Sequence, residues 1–317
     1  MAENAPTPHP SQVNTASAWV PSDFPISATW SFDLSETERA TLINLGQGRS
    51  NSAGVDELTA KASGWARMLS NGPGFLRVRK FPVDELSVVE LERAFVELGR
   101  LIGTPVGQDR NGSLITHIRD ERLPPGPGVR RYQTNLSQGF HSDASDIVGL
   151  LCIQAAKSGG MSRIVSAHTI YNEFARHAPL LLELLYEPMP WSRHTEQREG
   201  ETPYFELAPI SDVNGVPRIS VIPWFIRQSQ EHPAAPRLTE PQLAALDLFD
   251  SLTSLPDFQV TMQFERGDLQ WLNNTCILHA RDAYVDHKQL EQRRHMARVW
   301  LTAEVPIAEE ILRGGKS

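Results

Sequence analysis

A chain of 317 residues, 40% hydrophobic and 21% charged, is long enough to bury a sizeable core and has the composition of an ordinary globular protein. Its formal net charge of -8 argues against a nucleic-acid partner, which would need a basic face. The sequence offers no stretch apolar and long enough to cross a membrane and no basic-then-apolar leader at its start, so a cytoplasmic protein without a membrane partner is expected. Two cysteines, Cys152 and Cys276, lie in apolar runs and read as buried, reduced residues rather than as a disulfide.

Residues 1–25 are rich in Pro, Ala, Ser and Thr, which predicts a loose arm. Residues 26–317 are expected to form a single domain, helical over about 26–105 and β-rich over about 106–305. Two helices come first. LSETERATLINLG carries Ser35 three residues before Glu38, the spacing of a capping box, with Gly46 at its exit. VDELTAKASGWARMLSNG stops at Gly72. GFLRVRKFPV alternates apolar and basic residues as a strand does, and ELSVVELERAFVELGRLIG has apolar residues three and four apart as an amphipathic helix does.

From about residue 112 short β-branched segments alternate with Gly, Pro, Asn and Asp turns: SLITHIRD, DIVGLLCIQAA, SRIVSA, YFELAPI, PRISVI, DFQVTMQF, DLQWLNN, TCILHA and HMARVWLTAEV. Such spacing predicts a sandwich or barrel. Helical insertions, HTIYNEFARHAPLLLELL and TEPQLAALDLFDSL, interrupt it.

The chemistry concentrates in GFHSDASD. In a strand, residues two apart share a face, so His141 and Asp143 point together while Ser142 points away. A second histidine is needed, and His279, closing the strand-like NNTCILHA before a polar turn, is the best of the ten histidines. Two imidazoles and a carboxylate leave three octahedral positions open, which suits non-haem Fe(II); catalytic zinc takes similar ligands with a single open position. A zinc-dependent hydrolase and a non-catalytic binding protein therefore remain alternatives, as does a reading of the triplet as a surface histidine and a turn aspartate. Downstream, QRRHMARVWL places Arg294 at the entrance of a strand and Arg298 inside it, four apart and on one face. A buried guanidinium needs a partner, either one of the protein's acids or a ligand carboxylate gripped bidentately.

HSDASDIVGLLCIQAAKSGGMSRIVSA, followed by GDLQWLNNTCILHARDAY and QRRHMARVWL, resembles the taurine dioxygenase/TfdA-like branch of the 2-oxoglutarate oxygenases over roughly residues 75–302. The resemblance implies a mainly β fold with flanking helices, a double-stranded β-helix (jelly roll, cupin-like). It implies Fe(II) held by His141, Asp143 and His279, 2-oxoglutarate as cosubstrate and O2 as oxidant. It places Arg294 on the distal carboxylate of 2-oxoglutarate and Ser162 of the GGMS turn beside it; Met161 stands where the family has an acid. Arg298 matches a position that grips anionic substrates in some relatives. Related halogenases have a small residue where this chain has Asp143, so halogenation is not expected. The implied product chemistry is hydroxylation, or desaturation or cyclisation, of a small polar metabolite such as an amino acid or carboxylic acid; a homo-oligomer is compatible with the sequence.

RYQTNLSQGF, directly before the ligand strand, offers Tyr132, Asn135 and Ser137 as substrate contacts, or is only a connection. The polar stretch 191–205 is either a lid or an inert insertion. His168 and His194 read as hydrogen-bonded or exposed histidines, and Trp224, Trp271 and Trp300 as core.

Overall fold

The computed structural model describes residues 12–49, 52–124 and 129–303. Two sheets pack face to face. The larger runs in the order Ser31–Asp33, Phe75–Arg79, Leu269–Asn273, Ile147–Gln154, His295–Thr302 and Thr104–Val106, with Ile115–Ile118 also pairing with His295–Thr302. The smaller has four strands in the order Gln259–Met262, Ser162–Ser166, Ile277–Arg281 and Gln138–His141. All pairings in both are antiparallel except that of Ser31–Asp33 with Phe75–Arg79. The expected jelly roll with flanking helices is what the chain forms.

The period-2 pattern explains the layering. Along His295–Thr302, Ala297, Val299 and Leu301 turn outward into a core with Leu69, Phe95 and Leu98 from the N-terminal helices. Met296 and Trp300 turn inward to meet Ile164, Val260 and Ile277 of the small sheet. Leu278 and Ala280 of the small sheet turn outward onto Ile170, Phe174, Leu246 and Phe249 of the C-terminal helices. Each sheet thus buries both faces, and the space between the sheets is where inward polar residues must collect.

Three helices start at capping boxes, the first of them expected from the sequence. Ser35 caps Glu36–Gly46 and Ser87 caps Val88–Arg100, each with a glutamate at the third helical position returning the bond. Thr239 caps Glu240–Thr253 in the same way, with Gln242. The long helical insertion breaks in two, Ala167–His177 and Pro179–Leu184, because Pro179 has no N–H to continue the first helix but suits the first turn of the second.

Two expectations change. Residues 12–24 are not a loose arm: Val13 and Trp19 are buried, the Val13 N–H donates to Asn172 at 2.7 Å and the Trp19 indole donates to the Pro73 carbonyl at 2.8 Å. The rest of the expected arm, 1–11, and the end of the expected β region, 304–305, lie outside the described residues. The stretch 191–205, expected as a lid or an inert insertion, is partly strand: Met189–Ser192 and Tyr204–Leu207 pair as an antiparallel hairpin, with 193–203 as its connection.

Candidate metal centre and active site

His279 and His141 stand opposite each other in neighbouring strands, so their imidazoles meet on the inner face with ring centroids 4.2 Å apart. The strand ends at His141; Ser142 turns away and exchanges two hydrogen bonds with Val221, at 3.0 and 2.9 Å. That turn brings Asp143 back beside the imidazoles. Its oxygens lie 3.8 Å from His141 Nε2 and 4.0 Å from His279 Nε2. These three ligand atoms form one cluster, all within 4.8 Å of one another. His141 Nδ1 lies 2.9 Å from the Gly139 carbonyl, an acceptor only, so Nδ1 carries the proton and Nε2, which accepts from the Gln138 amide at 3.0 Å, holds the lone pair a metal would use.

The electrostatics keep these groups in metal-binding form. Burial alone would raise Asp143, but the Arg298 guanidinium, the two imidazoles and the Trp300 indole hold it at about 2. Burial, and then His141, push His279 down to about 3, and burial lowers His141 as well. The carboxylate is ionised and both imidazoles are neutral at neutral pH, the state in which each donates to a metal. A donor set of two neutral imidazoles and one carboxylate, facing open cavity on its remaining side, fits a divalent iron that keeps coordination positions for further ligands.

Two cavities meet at the cluster. The smaller, about 50 Å³, runs from His279 to Ser162, Arg281 and Arg294. Arg294 enters it from the start of the strand, with its backbone N–H donating to Asp286 at 2.7 Å. Gly159 and Gly160 turn with φ of 75° and 70°, and a Cβ at Gly160 would lie 3.3 Å from Arg294 Nε. Two glycines are therefore needed both for the left-handed turn and for the guanidinium to pass. Ser162, the first residue of the strand that follows the turn, is buried and donates to Gln270 at 3.3 Å. Arg294 and Ser162, which the family resemblance puts together, both line this cavity.

The larger cavity, about 990 Å³, opens on the other side of Asp143. Its wall includes Arg130, Tyr132, Trp224, Phe225 and Arg298, and the 193–201 stretch contributes Arg193, His194 and Glu196. Arg298 lies in both linings, as does Tyr132. Arg298 donates to Asp143 and, through Nε, to Gln108 at 2.8 Å.

Several expected roles move. Asn135 and Ser137 are exposed and line neither cavity; Asn135 instead donates to the Tyr284 carbonyl at 3.3 Å. Tyr132 does face the site. Trp224 is not core but cavity wall, 4.9 Å from the His141 ring. Trp271 is fully buried as expected, while Trp300, also buried, donates its indole N–H to Asp143 at 3.0 Å. His168 is a satisfied core histidine between Ser17 and the Pro217 carbonyl. His194 stands in the cavity wall near Phe225, and its Nδ1 has no hydrogen-bond partner among the described residues. Cys152 and Cys276 are buried free thiols, both pushed by burial to about 12, and are therefore inert. Arg281 and Gln108, which line the cavities, went unnoticed in the sequence. Arg281 had a signal, since it lies two residues after His279 on a strand and must share its face.

Comparison with known proteins agrees with this geometry. Residues 40–300 match the family model of the taurine catabolism dioxygenase TauD/TfdA family. The chain belongs to this family. As a TauD/TfdA member it is 31% identical to the FR-33289 synthase of Streptomyces rubellomurinus (strain ATCC 31215), over 92% of this chain and 91% of that one. It is 28% identical to the taurine hydroxylase-like protein SAT17 of Stachybotrys chartarum (strain CBS 109288 / IBT 7711), over 71% and 60%. The fold is similar to that of an asparagine oxygenase solved with Fe(II), 2S,3S-3-hydroxyasparagine and succinate, with TM-score 0.65, 17% identity and 86% and 94% coverage. It is also similar to the non-haem iron oxygenase OrfP solved with Fe and alpha-ketoglutaric acid, with TM-score 0.62, 15% identity and the same coverage. None of the described helices is long and apolar enough to cross a membrane.

Proposed function

We propose that this TauD/TfdA protein is an Fe(II)- and 2-oxoglutarate-dependent dioxygenase that hydroxylates an unactivated C–H bond of a small polar, anionic metabolite, an amino acid or a related acid. The observation that carries the reading is the junction of two cavities at the His141, Asp143 and His279 cluster. One cavity is narrow and ends on arginines; the other is wide and arginine-bearing. Relatives of the same fold were solved with hydroxylated asparagine and with hydroxylated arginine, which supports an amino acid as substrate class.

In this reading His141, Asp143 and His279 hold the iron, and Arg294 with Ser162 receives the distal carboxylate of 2-oxoglutarate in the narrow cavity. Together the iron and cosubstrate supply the oxidising power, coupling decarboxylation of 2-oxoglutarate to succinate and CO2 with insertion of one oxygen atom of O2 into the substrate. The protein's own work is positioning and exclusion of water. Arg298 faces the wide cavity beside the ligand carboxylate, where it orients an anionic substrate with its target carbon toward the iron. Trp224 and Phe225 give an apolar wall, and the 193–203 connection, held to the opposite wall by Glu196 and Arg130 at 2.5 Å, narrows access.

The test is succinate release with a panel of amino acids and small acids. Succinate is expected to form only with both Fe(II) and 2-oxoglutarate present and to rise with the right substrate. Turnover that persists without O2, or with zinc in place of iron, would reject the proposal in favour of a hydrolase.

A further inference from the structure

The narrow cavity holds more positive charge than the single Arg294 accounts for. Arg281 is 8% exposed and Arg294 7%, and both line it. The Tyr284 ring lies against both guanidiniums, 5.0 Å from Arg281 and 5.1 Å from Arg294. Arg281 uses Nη2 alone: it donates to the carbonyls of Thr134 at 3.0 Å, Arg131 at 3.5 Å and Leu136. Its Nε and Nη1, and Nη1 of Arg294, are buried with no hydrogen-bond partner among the described residues. Asp143, committed to Arg298, Trp300 and the imidazoles at the other end, is the one acidic residue among those described that line the cavity.

Buried guanidinium N–H groups left unpaired cost a desolvation penalty that a carboxylate removes. Resting on the proposed use of 2-oxoglutarate, we infer that Arg281 is a second positioning residue for it: Nε and Nη1 grip the distal carboxylate together with Arg294, while Nη2 ties that clamp to residues 131–136. That segment carries Tyr132, which lines both cavities. Cosubstrate binding therefore fixes Arg281, and Arg281 in turn fixes a wall of the substrate cavity. The two cavities are coupled through one side chain, and 2-oxoglutarate prepares the site for substrate.

The experiment compares two ligands in anaerobic Fe(II)-loaded protein, read by the charge-transfer absorption of the bound 2-oxo acid rather than by turnover. 2-Oxoglutarate has the distal carboxylate; 2-oxopentanoate has the same carbon chain without it. Arg281→Gln is expected to weaken 2-oxoglutarate about 10-fold or more, the size of a charge-assisted hydrogen-bond pair, and to leave 2-oxopentanoate within about twofold. Hydrogen exchange across 131–137 is expected to slow when 2-oxoglutarate binds the wild-type protein and not when it binds the variant. Arg281→Lys keeps the charge but loses the fork, and gives the same discrimination to a smaller degree should Arg281→Gln fail to fold. Equal weakening of both ligands would show a merely structural arginine and overturn the inference, as would undiminished 2-oxoglutarate affinity. Wild-type protein that fails to bind 2-oxoglutarate with Fe(II) would overturn the proposed function first, a result distinguishable because it needs no variant.

Discussion

Arg298 Nη1 donates to both oxygens of Asp143, at 3.1 and 3.0 Å. The same guanidinium is fixed from behind by Gln108, whose amide also donates to the Leu114 and Arg298 carbonyls at 2.8 Å. A side chain expected to serve the substrate therefore also orients the carboxylate proposed to hold the metal.

Arg298 variants should accordingly show two effects. Partners that orient a metal ligand are worth roughly 10- to 100-fold in affinity, so Arg298→Ala is expected to weaken Fe(II) by about 10-fold or more. It should also abolish stimulation of 2-oxoglutarate turnover by substrate, while a basal, uncoupled turnover survives at saturating iron. Anaerobic Fe(II) titration and succinate assays separate the two. Unchanged iron affinity would confine Arg298 to the substrate.

The 193–203 connection is tied across the cavity by the ion pair of Arg130 with Glu196, whose side chains are 21% and 57% exposed. A pair so exposed is worth at most about 1 kcal/mol. Glu196→Gln is therefore expected to speed hydrogen exchange across 193–203 by up to about fivefold and to raise the ratio of 2-oxoglutarate consumed to product formed. Exchange identical to wild type would mean that the hairpin holds the wall without this latch.

Gly149 lies under the Trp271 ring: a Cβ there would come 2.5 Å from the ring edge. Trp271 is fully buried and fills the core between the large sheet and the N-terminal helices, so it has no room to retreat. Gly149→Ala should cost about 1–3 kcal/mol and lower the thermal midpoint by several degrees. A midpoint unchanged within error would contradict this packing.

Acid should destabilise the protein through His295, whose ring bonds to His117 at 2.8 Å. Burial, then His117 and Arg119, hold His295 at about 4. As pH falls from about 6.5 to about 4 the unfolded chain takes up a proton at this residue and the folded one does not. The histidine's effect is thus absent above about 6.5 and grows through that window, approaching about 1.4 kcal/mol per pH unit. Denaturant midpoints at pH 7 and 5 should fall less for His295→Gln than for wild type; equal falls would reject the assignment.

How much of this was legible follows from the kind of signal each residue leaves. His141 and His279 each end or sit within a strand-like run, Gln138–His141 and Ile277–Arg281, so their place on strands could be read from the chain alone. Asp143 lies beside the imidazoles although the strand ends before it, because Ser142, pinned to Val221, turns outward as a strand residue would. The Arg294 and Arg298 pair was legible as one face of a strand. Asn135 and Ser137 were misplaced because the segment before His141 curls through a short helical turn at Arg131–Gln133, which breaks any sequence periodicity. Trp224 and Trp300 look in the sequence like any core tryptophan; only the meeting of distant strands and loops around Asp143 reveals their place. The packed stretch 12–24 was hidden by its composition, since Pro and Ser say nothing about Trp19 finding a groove beside Pro73.

The central claim is that His141, Asp143 and His279 together hold an iron that works with 2-oxoglutarate. It is tested most directly by anaerobic Fe(II) titration of wild type, His141→Ala, Asp143→Ala and His279→Ala, followed by addition of 2-oxoglutarate. One iron per chain and a charge-transfer absorption are predicted for the wild type, with the absorption lost in all three variants. Full absorption retained in any one of them would remove that residue from the site, and its retention in all three would contradict the account.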